Sequence, residues 1–188
     1  MDDHRFAPAA PEEPIVHGAA APAWERGSTG RSTDHDPIET WIDAMAARGI
    51  ERVCVLLTDR QLDRYDGLLD RYRVAFGDHA VRHVPIEDHH LADPEVVTGD
   101  LLPFFAEADD AVEPVVTHCL AGIGRTGHVL AAWLVGGRGI DPAEAVRIVS
   151  EHGRDPREAI AAGNATEGDL AALLSAANDW RRDRGSNG

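Results

Sequence analysis

The sequence contains no lysine: all 18 basic residues are arginine, against 33 aspartates and glutamates, and the formal net charge is −15. An excess of negative charge repels the phosphate backbone of nucleic acids, so we expect no nucleic-acid partner. Two explanations account for the missing lysine. We favour a carboxylate-rich surface that stays hydrated in a salt-adapted cytoplasm, and the alternative is a GC-rich genome that encodes arginine in preference to lysine.

Cysteines and long apolar segments are also scarce. The two cysteines, Cys54 and Cys119, form no C-x-x-C pair, so we expect free thiols in a reducing compartment. No apolar run approaches the roughly 20 residues that cross a bilayer. The acidic start "MDDHRFAPAAPEEP" lacks the basic and apolar segments of a secretion signal. The sequence therefore predicts a cytoplasmic protein with no membrane partner, and it leaves the oligomeric state open.

A chain of 188 residues fits one domain that can bury a sizeable core. The acidic, Pro/Ala-rich start predicts a loose tail over residues 1–13. The patterned part predicts a single domain over residues 14–184, and the polar end predicts a frayed terminus over residues 185–188.

Strand-like and helix-like segments alternate along this domain. Short apolar runs, most of them rich in β-branched residues, predict strands over residues 15–17, 52–58, 80–86 and 114–118. Helical patterns, three of which open with Asp-Pro and close with glycine, cover residues 36–49, 59–77, 94–110 with an interruption near Pro103, 127–136, 141–153, 155–163 and the segment from 166 onward. This alternation predicts an α/β fold with a central, mainly parallel β-sheet flanked by helices.

The stretch "VVTHCLAGIGRTGHVL" has three glycines at the G-x-G-x-x-G spacing of a dinucleotide-binding turn. That fingerprint requires a second strand ending in an acidic residue about 20 positions later. At that distance the chain has "GIDPAEAV", which opens a helix. The context therefore argues against a nucleotide, and we expect no cofactor.

A different signature accounts for every unusual residue of the same stretch. A cysteine and an arginine stand in the pattern C-x5-R, with a histidine before it and Thr-Gly after it. The matching residues are His118, Cys119, Ala121, Gly122, Gly124, Arg125, Thr126 and Gly127. The stretch resembles the signature H-C-x-A-G-x-G-R-T-G of the cysteine-based protein tyrosine and dual-specificity phosphatases, of the compact atypical dual-specificity type. The resemblance in element order extends over residues 14–184, and it implies a protein tyrosine phosphatase-like fold.

The chemistry of a phosphate monoester explains why these residue types stand together. A phosphate dianion needs many donors, and glycines let backbone N–H groups converge on it at a helix N-terminus. Arg125 can clamp two phosphate oxygens, and the same positive field favours a thiolate at Cys119 that attacks phosphorus. The predicted phosphate-binding residues are Leu120, Ala121, Gly122, Ile123, Gly124 and Arg125.

The resemblance also implies supporting residues. It implies that His118 orders the loop and that Thr126 hydrogen-bonds the sulfur. A general acid must protonate the leaving oxygen, and the family carries an aspartate for this purpose on a mobile loop upstream of the cysteine. Here that place is taken by "RHVPIEDHHLADP". Its match to a P-I-x-D segment selects Asp88, with Asp93 and Glu87 as alternatives.

Some interpretations stay open. The pair His89 and His90 suggests a metal, but no further ligand cluster supports one, and we predict none. Cys54 is expected to pack in the sheet, and the alternative is a resolving thiol for oxidised Cys119. For the whole chain, the preferred function is a phosphatase that hydrolyses phosphate monoesters, phosphotyrosine first and phosphoserine or phosphothreonine as further substrates, through a phosphocysteine. The expected partner is a phosphorylated protein or a small phosphate ester. The alternatives are a module that binds phosphorylated ligands without turnover and a phosphatase of a non-protein ester.

Overall fold

The computed structural model describes residues 4–24 and 36–186. Within these residues lies one five-stranded sheet with the strand order β1-β2-β5-β3-β4. Its strands are β1 Ala7–Pro8, β2 Val16–Ala20, β3 Arg52–Val55, β4 Val81–His83 and β5 Val115–Cys119. Every pairing is parallel except that of β1 with β2. The predicted fold class is confirmed.

The helices cover both faces of this sheet. They are α1 Pro37–Ala46, α2 Asp59–Leu62, α3 Leu68–Phe76, α4 Pro94–Val96, α5 Leu102–Ala111, α6 Gly124–Gly136, α7 Pro142–Glu151, α8 Glu158–Ala161 and α9 Glu167–Ser186. The Asp-Pro starts of α1 and α7 are as predicted, because the carboxylates of Asp36 and Asp141 accept hydrogen bonds from the first free N–H groups. No helix of the described ranges is both long and apolar enough to cross a membrane.

Three predicted helices differ from the observed ones. The helix over 59–77 is split into α2 and α3 by Gly67, which has a left-handed φ of 66°. The interruption predicted near Pro103 is a π-helical turn, Val97–Leu101, that precedes α5. Pro103 has no N–H and cannot donate an α-helical hydrogen bond. The helix predicted from Asp155 begins only at Glu158, after a turn in which the Glu158 N–H donates to the carbonyl of Asp155 over 3.1 Å.

Two apolar cores flank the sheet. On one side, Trp41 of α1 and Tyr72 of α3 pack against the sheet. On the other side lies the larger core with α5, α6, α7 and α9. Every residue of α6 is buried, so this helix runs through the interior and its N-terminus is held firmly under the end of β5.

The predicted loose tail is wrong for residues 4–13. Strand β1 pairs with β2, and Glu13 is buried with 6% of its surface exposed. The Glu13 carboxylate accepts hydrogen bonds from Arg138, Trp133 and the N–H groups of Ile15 and Val16. The buried ion pair of Glu13 with Arg138 and the further hydrogen bonds to Glu13 hold the N-terminal segment against the domain. The acidic composition of this segment does not predict such buried contacts. Residues 1–3 and 187–188 of the predicted termini lie outside the described residues, and α9 continues to Ser186.

Candidate active site

The glycine loop joins the end of β5 to the start of α6 and closes around the sulfur of Cys119. The N–H of Gly122 donates to this sulfur over 3.2 Å. Gly122 has a φ of +69°, and a Cβ atom there would overlap the backbone of Ala19 in the neighbouring strand. Only glycine fits this position, so the loop can fold around the sulfur only because residue 122 is glycine.

Thr126, in the first turn of α6, holds the cysteine at two points. Its hydroxyl donates to the sulfur of Cys119 over 3.3 Å and accepts the Cys119 N–H over 3.1 Å. Cys119 itself is 2% exposed, at the floor of a pocket. Donors from the loop and from the helix therefore converge on the sulfur.

Arg125 is buried beside this loop, and its guanidinium is held from several directions. Nη1 donates to the amide oxygen of Gln61 over 2.8 Å and to the carbonyl of Ile86 over 3.0 Å. Nη2 lies 2.8 Å from the carboxylate of Asp88. Within the described part of the chain, these contacts leave Nε–H and the second Nη2 hydrogen for an anion in the pocket, the two parallel donors of a bidentate clamp.

Of the three candidate acids, only Asp88 lies in the pocket. Its carboxylate is half-exposed and meets Arg125 there. Asp93 instead caps α4 by accepting the N–H of Glu95 over 2.9 Å. Glu87 is exposed and does not line the pocket. The geometry therefore favours Asp88 among the predicted alternatives.

The pocket over Cys119 has a volume of about 280 Å³. Its floor is formed by the loop with Arg125, and Asp88 lies on one side. Its rim carries residues that the motif does not include, namely Arg5, Trp24, His89 and Glu158. A pocket of this volume suits a phosphate group with part of its ester.

Residues 28–138, more than half of the chain, match the Tc-R-P family, described as "Polymorphic toxin system, DSP-PTPase phosphatase". The chain belongs to this family. The crystal structure of Tk-PTP in the active form has 25% sequence identity to it and a TM-score of 0.62, over 88% of this chain and 92% of that one. The predicted superfamily of cysteine-based phosphatases is confirmed, and these matches support a cysteine-dependent phosphatase as the class of enzyme.

Two curated relatives match this chain over shorter segments. The dual specificity protein phosphatase OPG106 of monkeypox virus is 30% identical over 67 residues, which cover 36% of this chain and 39% of the viral protein. The dual specificity protein phosphatase Mpk3 of Drosophila melanogaster is 34% identical over 79 residues, 42% of this chain and 19% of the fly protein. The chain thus spans less than half the length of the curated relatives it matches.

His118 lies behind the glycine loop, away from the pocket. Its Nδ1–H donates to the carbonyl of Cys119 over 3.2 Å, and its Nε2 accepts the hydroxyl of Tyr72 over 3.3 Å. The rings of Trp41 and Tyr72 pack edge-on against the imidazole. Burial lowers the pKa of His118 to about 4, so the ring is neutral at neutral pH. A neutral, enclosed ring fits the ordering role that the resemblance implies.

A second buried histidine, His128, links the loop to the segment that follows Asp88. Its Nε2 accepts the N–H of Ala92 over 3.0 Å, and its Nδ1–H therefore donates to the carbonyl of Gly124 over 3.2 Å. Burial lowers its pKa to about 4. The sequence analysis did not identify this residue, because a single histidine in an apolar helix carries no pattern.

Arg154, which follows α7, supports the loop from below. This buried guanidinium donates to the carbonyls of Gly122, Gly18 and Arg5. It thereby joins the loop to β2 and to the N-terminal segment. The sequence analysis also missed it, since its partners are backbone atoms that leave no side-chain signal.

Cys54 is the other residue with open interpretations. It is fully buried, and burial raises the pKa of its thiol to about 12. It pairs in register with Thr117, two residues before Cys119. With strands about 4.8 Å apart and a rise of about 3.3 Å per residue, the two cysteine Cα atoms are about 8 Å apart, beyond the limit of about 7 Å for a disulfide. This geometry favours a packing role.

The histidine pair does not form a metal centre with its neighbours. Across residues 4–24 and 36–186, no group of three or more histidine, cysteine or acidic side chains is arranged to hold a metal ion. The Nδ1 of His89 lies 3.7 Å from the carboxylate of Glu158, and the Nδ1 of His90 turns back to the carbonyl of Asp88.

Proposed function

We propose that this chain hydrolyses phosphate monoesters, phosphotyrosine in proteins first among them, through a phosphocysteine formed on Cys119. One observation carries the proposal. The sulfur of Cys119, which accepts hydrogen bonds over 3.2 and 3.3 Å, shares one pocket with the guanidinium of Arg125 and the carboxylate of Asp88. A nucleophile, a phosphate clamp and an acid are the groups that this reaction needs.

In the first step the Cys119 thiolate attacks phosphorus, and the bond from phosphorus to the leaving oxygen breaks. The loop N–H groups and Arg125 hold the phosphoryl oxygens, on which the transition state carries its charge. Asp88, in its protonated form, gives its proton to the leaving oxygen, so that a neutral alcohol or phenol departs. Phosphocysteine and the Asp88 carboxylate remain.

In the second step water attacks the phosphocysteine, and the Asp88 carboxylate accepts one of its protons. The sulfur–phosphorus bond breaks, and inorganic phosphate and the Cys119 thiolate form. The hydroxyl of Thr126, 3.3 Å from the sulfur, donates to the departing thiolate and so lowers the barrier of this step. The site is then ready for another substrate.

The charges around the pocket support a phosphoprotein or a small ester over an inositol lipid. The loop residues Leu120, Ala121 and Ile123 carry no charge. Among the lining residues, the rim cation Arg5 is accompanied by the carboxylates of Asp88 and Glu158. A polyphosphorylated head group requires an excess of cations. The names of the curated relatives include dual specificity, which supports phosphoserine and phosphothreonine as further substrates. The family description supports a place in a polymorphic toxin system.

The test is hydrolysis of an aryl phosphate by the purified chain, without added metal and with a chelator present. Turnover is expected, because thiolate, arginine and loop supply both the nucleophile and the charge stabilisation. Cys119→Ser should abolish turnover and still bind a phosphotyrosine peptide. Substantial activity in Cys119→Ser would refute the mechanism. Binding of the peptide by the parent chain without release of phosphate would support the binding module instead.

A further inference from the structure

Gln61 contacts both the phosphate clamp and the acid of the proposed reaction. Its amide oxygen accepts Nη1–H of Arg125 over 2.8 Å, and its amide nitrogen donates to Oδ2 of Asp88 over 3.4 Å. The other carboxylate oxygen of Asp88 lies 2.8 Å from Nη2 of Arg125. The three side chains therefore form a closed ring of contacts, although no motif of the sequence includes Gln61.

The fold determines how the amide of Gln61 is oriented. Gln61 is 6% exposed, at the third position of α2, where it forms a reciprocal capping box with Thr58. Its amide oxygen accepts the Thr58 N–H over 3.2 Å as well as the Arg125 donor. Because two donors face the oxygen, the NH₂ group has to face Asp88.

We propose that Gln61 is a positioning residue that holds Asp88 beside the leaving oxygen; this inference rests on the proposed function. A bound phosphate competes with Asp88 for the guanidinium of Arg125. Phosphate does not compete for the hydrogen bond that the amide nitrogen of Gln61 donates to Asp88. This hydrogen bond therefore keeps Asp88 in place while Arg125 binds the substrate. An amide does not titrate, and it therefore keeps the same contacts in both steps of the reaction.

The experiment compares Gln61→Met, which has a similar length and no amide, with the parent chain on two esters. For a phosphotyrosine peptide, whose leaving group needs protonation, we expect kcat to fall by up to about tenfold, as for loss of one hydrogen bond. For an activated aryl ester, whose leaving group departs unprotonated, the fall should be much smaller. In an Asp88→Asn background, Gln61→Met should have almost no further effect, because both changes disable the same acid.

Two further variants separate this role from a structural one. Thr58→Ala removes the hydroxyl that caps α2 but keeps the Gln61 amide, so it should lower Tm without changing the ratio of the two kcat values. Gln61→Glu keeps an oxygen for Arg125 but lacks the N–H donor, so it should show the same dependence on the leaving group. If Gln61→Met does not fold, Gln61→Glu is compared with the parent chain on the same two esters.

Two results would overturn the inference. One is an equal loss on both esters, which would mean that Gln61 acts through the clamp alone. The other is a loss that adds fully to that of Asp88→Asn. In either case, turnover that still depends on Cys119 would leave the proposed function intact. Activity retained in Cys119→Ser would instead refute the proposed function itself.

Discussion

The carboxylate of Asp88 and the guanidinium of Arg125 form an ion pair, with Oδ1 of the one 2.8 Å from Nη2 of the other. The pair joins the predicted acid to the predicted clamp in the pocket that Cys119 also lines. Before substrate binds, this ion pair holds the side chain of Asp88 at the pocket. A bound phosphate then brings a second anion to the same guanidinium.

Asp88→Asn should lower kcat for a phosphotyrosine peptide by about 10²–10⁴, the usual range for removing a positioned acid. The loss should shrink for an activated ester, and the basic limb of the kcat–pH profile should flatten. Asp93→Asn is the matched control, because Asp93 caps α4 outside the pocket. A large, leaving-group-dependent effect of Asp93→Asn, with none from Asp88→Asn, would move the acid to Asp93.

Thr126→Ala should slow the second step more than the first. The hydroxyl that donates to the departing thiolate is lost, and a hydrogen bond to a charged group corresponds to about 10–100-fold in rate. With an activated ester, rapid-mixing kinetics should show a burst of aryl product followed by slow turnover, and phosphocysteine should accumulate. Thr126→Ser keeps the hydroxyl and should behave like the parent chain. An equal slowing of both steps would contradict this role.

Acid should destabilise the fold through two fully buried histidines, His118 and His128. Burial lowers the pKa of His118 and of His128 to about 4, against about 6.5 in the unfolded chain. Between these values the unfolded chain binds protons that the folded chain does not. The free energy of unfolding should therefore fall as pH drops from about 6.5 to 4, by up to about 3 kcal/mol for each histidine.

The histidine contribution is measured by denaturant unfolding across this pH range. His128→Gln should show a shallower loss than the parent chain, because one titrating group is gone. His79→Gln, at an exposed position, is the control and should follow the parent curve. Identical slopes for His128→Gln and the parent would mean that His128 does not contribute to acid unfolding.

Glu13→Gln should destabilise the protein at neutral pH. Burial alone would raise the pKa of Glu13, but Arg138 and two backbone N–H groups hold it below its ordinary value. Its stabilisation is therefore present at neutral pH and is lost as pH falls through the lowered pKa. We expect a loss of about 1.5–3 kcal/mol, because Arg138 keeps its pair with Asp109. Glu12→Gln, at an exposed position, should leave stability unchanged, and equal stabilities for the two variants would contradict the prediction.

Salt should raise Tm. Mutual repulsion at a net charge of −15 weakens as the screening length falls from about 10 Å at 0.1 M to about 3 Å at 1 M salt. Melting curves from low to molar KCl, with phosphatase assays at the same concentrations, test the salt-adapted interpretation. A flat or falling Tm, or activity lost in molar KCl, would favour the alternative of a GC-rich genome.

The phosphate loop could be predicted because its parts are adjacent in the chain. A strand, a glycine turn and a helix that begins with arginine and threonine form one continuous segment, and the resemblance of this segment to the phosphatase signature implied the contact of Thr126 with the sulfur of Cys119. The Asp-Pro helix starts are likewise local, since a carboxylate accepts N–H groups only two or three positions away. These features follow directly from the order of the residues.

Contacts between residues from distant segments of the chain could not be predicted from the sequence, because they depend on the tertiary structure. Strands β3, β4 and β5 lie side by side and parallel, so the segments after them, which carry Gln61, Asp88 and Arg125, meet at one edge of the sheet. The sequence named two of these three and could not show that all three touch. Glu13 illustrates the same limit: its charge predicted a solvated tail, but its partner, Arg138, lies 125 residues away in the sequence, just after the end of α6. Local patterns determine the chemistry of single segments, whereas contacts between segments depend on the packing of the whole chain.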